Sequence, residues 1–582
     1  MYIESVPNRS SRPAILLREG WRQGKKTVKR TLANLTDWPV EKVEALRLVL
    51  AGRRVVPAEQ AVAIERSAPH GHVAAVLEAM RRLGLEGLLA SKRCRQRDLV
   101  VAMIAQLLID SRSKLGMTRS WHTTTLAQEL EVEDADAEEL YGALDWLLKR
   151  QERVERKLAA RHLAEGARAL YDVSNSHYEG RTCVLARMGR DKAADRCRLV
   201  IAYGLMANAQ GCPVAVEVYP GGTGDPVTVP DQVEKLRDRF GLERIVLVGD
   251  RGMLTQTQIA QLREFPQLGW ISALRNSAIR KLVHQGALQL SLFDRQDLAE
   301  IASPDFPGER LVVCYNPLLC DERRRTREDL LAATEKELDK IRRAVARRTR
   351  TPLAEAQIAL RAGRVVNRFK MAKHFELAIA DNHFVWTRKT DAIAAEQALD
   401  GIYVIRTSEP PERLSADNAV RAYKSLADVE RAFRVLKSPD IRIRPIRHRT
   451  EDHVRAHIFL CLLAYYVEWH MRQAWASLLF DDEQLRQDRQ RRDPVKPARP
   501  SPSALRKKHT RQNAEGFPVH SFETLLDELA TQCRNTCRIP AKPADKSQAQ
   551  DDFRFQQLTE PTPLQEKAFQ LLRMFPGYGN AK

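Results

Sequence analysis

Residues 168–180, RALYDVSNSHYEG, begin the part of the chain that decides the fold. The apolar run at 168–173 has the length of a buried strand, and it carries Asp172 at its end. Similar apolar runs follow at 198–206 and 213–219, and from 231 to 273 helical segments alternate with apolar strand segments. The pattern predicts the element order β-β-β-α-β-α-β.

Three strands joined by hairpins and followed by crossover helices predict a mixed sheet that is covered on both faces. This is the arrangement of a ribonuclease-H-like fold. We therefore expect an α/β, multi-domain protein with a ribonuclease-H-like mixed-sheet core, a strand-rich insertion in that core and a mainly helical N-terminal region.

Charge and composition indicate the class of partner. The 582 residues include 95 Lys and Arg against 75 Asp and Glu, a formal net charge of +20, which favours a polyanionic partner such as nucleic acid. A hydrophobic content of 43% and a charged content of 29% exclude a mostly disordered or fibrous chain. The apolar run at 458–467 is only about half of the ~20 residues that span a bilayer, so we expect no membrane association.

The termini and cysteines predict a cytoplasmic protein. No apolar segment with a small-residue cleavage site follows the N-terminus, so a secretory signal is not indicated. The nine cysteines are scattered, and Cys533 and Cys537 lack a second Cys or His pair at zinc spacing. We interpret the cysteines as reduced, mostly structural thiols.

Shifts in pattern divide the chain into five segments. These are an N-terminal hairpin at 14–32 with a helical DNA-binding region (1–165), the first part of the core (166–275), the insertion (276–410), the second part of the core (411–480), and a basic, proline-punctuated linker with a C-terminal tail (481–582).

Two aspartates are predicted at one edge of the sheet. Asp250 directly follows the apolar run 244–248 in IVLVGDRGM (245–253), and in this topology that strand neighbours the strand of Asp172. Either aspartate alone is more often a helix cap or a turn former.

A helix supplies the third acidic residue. In RAYKSLADVERAFRVLKSPD (421–440), Tyr423, Glu430 and Lys437 are spaced by seven, which returns a helix to within ~20° of the same face. A solvated polar stripe is the common alternative, but apolar residues on the other faces indicate that this helix is packed.

Three carboxylates at one sheet edge suit two divalent ions ~4 Å apart, the arrangement used for phosphodiester chemistry. Hard oxygen ligands favour Mg²⁺, with Mn²⁺ as a substitute. Lys437 and Arg251 are candidates for phosphate contacts, and Tyr423 for a hydrogen bond to a phosphate.

At these motifs the chain resembles DDE transposases of bacterial insertion sequences, in the insertion-sequence-four-like superfamily. Their last acidic residue lies in a Y-x2-R-x3-E-x6-K signature, which Tyr423, Glu430 and Lys437 match, whereas Leu426 stands where Arg is usual. The DRGM stretch and TEDHVRAHIFLCLLAYY (450–466) are also similar. The likeness covers about residues 165–475 well and the N-terminal hairpin loosely.

The resemblance implies that Asp172, Asp250 and Glu430 are a catalytic, metal-binding triad. It also implies double-stranded DNA partners, the terminal inverted repeats and the target, and a homodimer on DNA. The 430 − 250 = 180 residues between the last two acids imply an inserted domain, as such relatives carry. Some relatives stack a flipped base on an aromatic ring while sealing a DNA end as a hairpin, and Trp386 in HFVWTRK (383–389) is the candidate here.

Two other functions fit part of the pattern. A catalytically silent DNA-binding inhibitor derived from a transposase would keep the basic character, but here all three carboxylates are present. A ribonuclease-H-like nuclease would share the core, but the long insertion and the additional basic sequence favour transposition.

Overall fold

The computed structural model describes residues 1–9, 11–53, 62–192, 194, 196–265, 267–294, 297–348, 350–439, 441–496, 498–539 and 553–574. The chain divides into two compact units. The first combines Met1–Ala68 with Gln532–Glu560, and the second combines Pro69–Thr531 with Pro561–Lys582.

The first unit contains two small sheets. Strands β1 (Tyr2–Val6), β2 (Ala14–Gln23) and β3 (Lys26–Asn34) form an antiparallel sheet that includes the predicted hairpin at 14–32, and helix α1 (Val40–Leu50) follows. In the second sheet, β4 (Ala63–Pro69) lies beside β16 (Cys533–Ile539), which pairs with β17 (Phe553–Leu558). Sequence periodicity gives no sign of this pairing between the two ends of the chain, because its partners are more than 460 residues apart.

The second unit begins with helices that pack around an apolar core. They are α2 (Gly71–Arg82), α3 (Leu85–Leu89), α4 (Arg95–Ile109), α5 (Lys114–Ser120), α6 (Leu126–Leu130), α7 (Ala137–Leu148) and α8 (Gln151–His162). The predicted helical region thus forms, but residues 1–68 belong to the other unit.

A mixed sheet follows the helices. Its strands are β5 (Arg168–His177), β6 (Arg187–Asp191), β7 (Arg196–Asn208), β8 (Pro213–Pro220), β9 (Ile245–Gly249), β10 (Leu268–Ala273), β11 (Leu298–Ile301), β12 (Arg310–Tyr315) and β15 (Ile402–Thr407). Helix α9 (Val229–Glu234), continued by a π-helical turn at Lys235–Arg239, precedes β9, and α10 (Gln256–Leu262) precedes β10. The predicted strands and helices are all present, but the structure adds β6, so the order is β-β-β-β-α-β-α-β and not the predicted β-β-β-α-β-α-β. The sequence of β6, RMGRD, is mostly polar and charged, so no apolar run marks this short strand beside β7.

The centre of this sheet has the strand order β8-β7-β5-β9-β10. The pairs β8–β7 and β7–β5 are antiparallel, whereas β5–β9 and β9–β10 are parallel. This order and these directions are those of a ribonuclease-H-like core, as the sequence predicts.

Part of the segment predicted as an insertion extends the main sheet. After α11 (Asn276–His284), β11 and β12 pair with each other, and β15 lies between β12 and β10. Two further apolar cores form in this segment, one between α11, β12 and β15 and the other within the elements from α12 to α14. These last elements are α12 (Pro317–Arg347), α13 (Glu355–Phe369), β13 (Phe375–Ala380), β14 (His383–Arg388) and α14 (Thr390–Gln397). The strand candidates near 311–314 and 402–406 are apolar enough to be buried in the larger sheet, which is where they lie.

The remaining helices are α15 (Ala416–Lys424), α16 (Leu426–Lys437), α17 (Glu451–Ala474), α18 (Leu485–Arg491), α19 (Pro502–Thr510), α20 (Phe522–Ala530) and α21 (Pro563–Met574). Helices α15, α16 and α17 pack on strands of the sheet, whereas α20 and α21 pack on α2. Helix α17 packs on α4, α7 and β8, so almost every face of it is buried. No described helix combines the length and the apolar character that a membrane crossing needs.

The segment predicted as a linker and tail is largely folded where it is described. Its composition is polar, but the side chain of one of its basic residues, Lys507, is buried. The ammonium of Lys507 donates to the carbonyls of Ala476, Leu479 and Asp481 at 2.6, 3.0 and 3.0 Å. These bonds hold α19 against the chain that follows α17.

Candidate active site

The two aspartates meet where β5 and β9 lie side by side. In the parallel register, Leu170 is opposite Val248 and Tyr171 is opposite Gly249, so Asp172 and Asp250 are the next residues on the two strands. The two residues are therefore neighbours across the β5–β9 pair. Asp250 directly follows β9, but β5 continues to His177, so the prediction that Asp172 ends its strand is wrong. The polar residues after Asp172 remain in the strand because they still pair with β7.

Asp172 lies in a desolvated position. Burial raises the pKa of its carboxyl to about 6, and the charges of Asp225 and Asp250 act in the same direction. The backbone N–H of Val173 donates to Oδ1 at 2.8 Å and, with Lys192, opposes that shift. The hydrogen bond from Val173 and the charge of Lys192 therefore do not fully offset the cost of burying the charged carboxylate.

Asp250 is exposed and accepts a hydrogen bond from helix α15. The hydroxyl of Tyr423, near the end of α15, donates to Oδ1 of Asp250 at 3.1 Å. Burial, and then the charge of Asp250, raise the pKa of Tyr423 far above its ordinary value, so the phenol remains a donor. This bond joins α15 to the edge of the sheet.

Glu430 lies on α16, which packs against β5. Its helix buries Val429, Phe433 and Leu436, whereas Glu430 itself is exposed. Leu426, at the position where the signature usually has Arg, is also buried and packs in the core. In the described part of the chain, Glu430 makes no hydrogen bond or ion pair.

Lys437, the last residue of α16, contacts β5 two residues beyond Asp172. Its ammonium donates to the hydroxyl of Ser174 and lies 5.7 Å from the ring centre of Phe433. Burial lowers the pKa of Lys437 to about 8. Tyr423 thus contacts Asp250, Lys437 contacts β5 near Asp172, and Glu430 lies between Tyr423 and Lys437 in sequence.

The sequence does not single out two further residues near Asp172. Lys192, after β6, donates to the carbonyl of Val173 at 2.9 Å and lies 3.5 Å from the carboxylate of Asp225. Asp225 ends the glycine-rich stretch GGTGD (221–225), a pattern typical of a loop next to a polyanion site. That stretch is the signal by which Asp225 could have been found; Lys192 carries no such signal.

Arg251 is exposed and lies beside Tyr423. Its charge and its backbone lower the pKa of Tyr423, but the opposite effect of burial is larger. Trp386 lies elsewhere, partly buried against the apolar core of the insertion. Its indole N–H donates to Oδ1 of Asp339 at 3.1 Å, and its ring meets Phe375 edge-on at 5.7 Å. Its immediate contacts are thus with the insertion itself.

The acidic edge has the character of a site for hard cations. The charges of Asp225 and Asp250 both contribute to the raised pKa of Asp172, so negative charge is concentrated at this place. Carboxylate oxygens are the ligands that Mg²⁺ and Mn²⁺ prefer, so these residues fit a divalent ion.

An arginine-rich groove of the second unit lies away from these carboxylates. It has a volume of about 1490 Å³ and is lined by nine arginines and five acidic residues. Arg168 starts β5 and Arg244 directly precedes β9, so the groove is at the opposite ends of the two aspartate strands. The arginines are Arg168, Arg244, Arg413, Arg421, Arg431, Arg434, Arg472, Arg486 and Arg489.

Comparisons with known proteins agree with this architecture. The family model of the transposase DDE domain matches residues 191–467, and that of the IS1634 family transposase N-terminal domain matches residues 3–60. Together they match 277 + 58 = 335 of 582 residues. Asp250 and Glu430 lie within the matched DDE range, and Asp172 precedes it.

A solved structure is also similar. The cryo-EM structure of the piggyBac transposase synaptic complex with hairpin DNA shares 9% identity at a TM-score of 0.33, over 78% of this chain and 77% of that chain. None of the curated proteins compared with the chain matches it.

Proposed function

Because the chain belongs to the DDE transposases of bacterial insertion sequences, we propose that Asp172, Asp250 and Glu430 hold two Mg²⁺ ions that serve DNA cleavage and strand transfer. One observation carries the assignment. Asp172 and Asp250 are register neighbours on parallel strands. The residue seven before Glu430 contacts Asp250, and the residue seven after it contacts Ser174, two residues beyond Asp172. Mn²⁺ is the expected substitute.

The side chains around the ions have separate tasks. When bound, divalent ions stabilise the charge on the attacking and leaving oxygens of a phosphodiester. Asp172 supplies a desolvated carboxylate whose charge an ion would restore, and Tyr423 fixes the orientation of Asp250. Lys437 and Arg251 supply positive charge for the phosphates beside the cleaved bond.

The proposed substrates are the terminal inverted repeats of the element and then the target DNA. Water attacks the phosphorus at each end, and the 3′-oxygen leaves as a hydroxyl. This hydroxyl then attacks a phosphorus of the target, the new phosphodiester bond forms, and the 3′-oxygen of the target strand leaves as a hydroxyl. The net charge of +20 supports a DNA partner of considerable length. Processing of two ends in one complex favours a homodimer on DNA.

The test separates DNA binding from chemistry. Asp172→Asn, Asp250→Asn and Glu430→Gln each remove one negative charge and nearly preserve side-chain volume. We expect each variant to cut a labelled transposon end in Mg²⁺ at least about a hundredfold more slowly than the wild type. Affinity for the inverted repeat should persist, because basic residues outside the triad provide it.

The control is Glu523→Gln, an exposed acid in the first turn of α20, which should cut at the wild-type rate. A folded Glu430→Gln protein that cleaves normally would remove Glu430 from the site. A wild type that binds the repeat without cutting it in Mg²⁺ or Mn²⁺ would favour the silent inhibitor.

A further inference from the structure

Away from the carboxylate edge, three side chains with metal-ligating atoms converge in the second unit. They are His162, the last residue of α8, Cys212, between β7 and β8, and His470, on α17. One ligand atom from each lies within 4.8 Å of the other two. Cys212 and His470 are buried, and His162 is partly buried.

The individual distances suit a metal ion. Sγ of Cys212 lies 3.8 Å from Nε2 of His470. For zinc bonds of ~2.3 Å to sulfur and ~2.0 Å to nitrogen at a tetrahedral angle, the same separation is about 3.5 Å. A shift of a few tenths of an ångström would therefore bring these two ligands onto one ion.

The turn that carries Cys212 is fixed by its own hydrogen bonds. Oδ1 of Asn208 accepts from the backbone N–H groups of Gln210 and Cys212 at 2.9 and 3.0 Å. Gly211 has a φ of +79°, and a Cβ there would lie 2.7 Å from Cβ of Asp428. The turn is therefore tightly positioned against α16, and its thiol has a defined direction.

The histidine rings are also oriented by neighbours. The hydroxyl of Tyr466 lies 3.0 Å from Nε2 of His162, and its ring packs edge-on against His470 at 4.7 Å. Oriented imidazoles of this kind are typical of metal sites, in which surrounding hydrogen bonds fix the ligand rings.

We propose that His162, Cys212 and His470 bind one zinc ion, with water at the fourth position. A thiolate with two imidazoles selects a borderline-soft ion such as Zn²⁺ over Mg²⁺. The ion would join the helical region, the core sheet and the helix after the catalytic segment. This role is structural and independent of the triad.

The chain offers a matched control for the cysteine. Cys461 lies on α17 as well, is buried, and has its sulfur 3.8 Å from Nε2 of His457. In the described residues, however, no third ligand completes a cluster there. Cys461→Ser should therefore leave zinc binding unchanged, whereas Cys212→Ser should remove it.

The experiment uses full-length protein without an affinity tag, dialysed against zinc and then against metal-free buffer. Elemental analysis should find about one zinc per chain in the wild type, in Cys461→Ser and in the Asp172→Asn/Asp250→Asn/Glu430→Gln triple variant. Cys212→Ser and His470→Gln should retain only a trace. Wild-type protein without zinc, or Cys212→Ser with the full amount, would overturn the site.

Cobalt gives a second measurement that does not depend on the folding of a variant. Co²⁺ bound to the wild type should show thiolate-to-cobalt charge transfer and the visible bands of tetrahedral coordination. A cobalt-loaded wild type without the thiolate band would mean that Cys212 and His470 form only a thiol–imidazole hydrogen bond. Because the triple variant retains zinc whether or not it cleaves DNA, this outcome is separate from that of the proposed function.

Discussion

At the scale of single residues, the hydroxyl of Tyr423 is the direct link between α15 and the acidic edge. It donates to Asp250 at 3.1 Å, and its raised pKa keeps the proton in place. We expect Tyr423→Phe to slow end cleavage by about 5- to 30-fold, the equivalent of about 1 to 2 kcal/mol for a hydrogen bond to a charged group. Kinetics on a labelled transposon end, at saturating DNA, measures this effect.

Binding of the inverted repeat should be unchanged in Tyr423→Phe, since the phenol is assigned to the orientation of Asp250. Tyr141→Phe is the control, because Tyr141 lies on α7 and stacks on His453 at 5.0 Å, in the helical region. Equal cleavage by Tyr423→Phe and the wild type would show that Asp250 needs no such support.

The sequence identifies these residues because their positions depend on local order. Asp172 and Asp250 each end an apolar run, and neighbouring parallel strands bring such ends together. Lys192 and Asp225 depend instead on how two loops fold back over β5. No periodicity fixes loop conformation, so their proximity to Asp172 is visible only in three dimensions.

At the scale of elements, the stripe of Tyr423, Glu430 and Lys437 is shared by two helices. Helices α15 and α16 are separated at Ser425, whose φ of −69° and ψ of −12° remain in the right-handed helical region. The side chains on either side therefore stay nearly in phase. Because the rotation per residue at Ser425 is close to that of an α-helix, residues spaced by seven still share one face across the junction of α15 and α16.

The insertion gives a prediction for Trp386. Its ring packs on Phe375, and its indole N–H donates to Asp339 on α12. We expect Trp386→Ala to destabilise the insertion by about 2 to 3 kcal/mol, which is at or below the bottom of the range of about 3 to 5 kcal/mol for a buried aromatic ring, because the side chain is only partly buried. Hydrogen exchange of peptides from 317–388 should become faster.

Trp386→Phe provides the comparison, since it keeps a ring and loses the hydrogen bond to Asp339. It should retain most of the exchange protection. If Trp386 instead stacks on a flipped base, Trp386→Ala should change the hairpin intermediates at a labelled DNA end. Hydrogen exchange in 317–388 should then stay at the wild-type level. That result would contradict the structural role.

The sequence predicts the strands of the insertion segment but not the sheet to which each strand belongs. Strands β12 and β15 are short apolar runs, and the sequence of such a run does not predict which sheet it joins. The structure pairs β15 with β10 of the core, so residues 298–315 and 402–407 lengthen the main sheet. Pairing partners depend on tertiary contacts, which the local pattern does not encode.

At the scale of the whole molecule, the net charge of +20 predicts DNA binding that depends on charge. The groove opposite the carboxylates contains Arg431 and Arg434, both exposed on α16. If they contact phosphates, Arg431→Ala/Arg434→Ala should reduce the slope of log affinity against log salt by about 1.8, since each phosphate contact contributes about 0.9. Fluorescence anisotropy with an inverted-repeat duplex across a salt series measures the slope.

The charge-preserving variant Arg431→Lys/Arg434→Lys should keep the wild-type slope. Affinity that does not change with salt in the wild type would exclude phosphate neutralisation as the main source of binding. An alanine double variant with the wild-type slope would place the DNA elsewhere on the protein.

Buried histidines set the response of the second unit to acid. Burial lowers the pKa of His457 to about 3, with a contribution from Lys114, and lowers that of His72 to about 4, with a contribution from His70. An unfolded histidine has a pKa of about 6.5. Below that pH the unfolded chain therefore binds protons that the native state does not bind, and the free energy of unfolding falls as the pH falls.

From pH 7 to pH 5, each of these two histidines should reduce the free energy of unfolding by up to about 2 kcal/mol, at up to about 1.4 kcal/mol per pH unit. Urea unfolding followed at both pH values should show a smaller loss for His457→Gln, because an amide does not titrate. His122→Gln, at an exposed position, should lose as much stability as the wild type. If His457→Gln and the wild type lost stability equally, His457 would have to be protonated in the native state at pH 5, and its buried place between Ile443 and Cys461 would have to admit that charge.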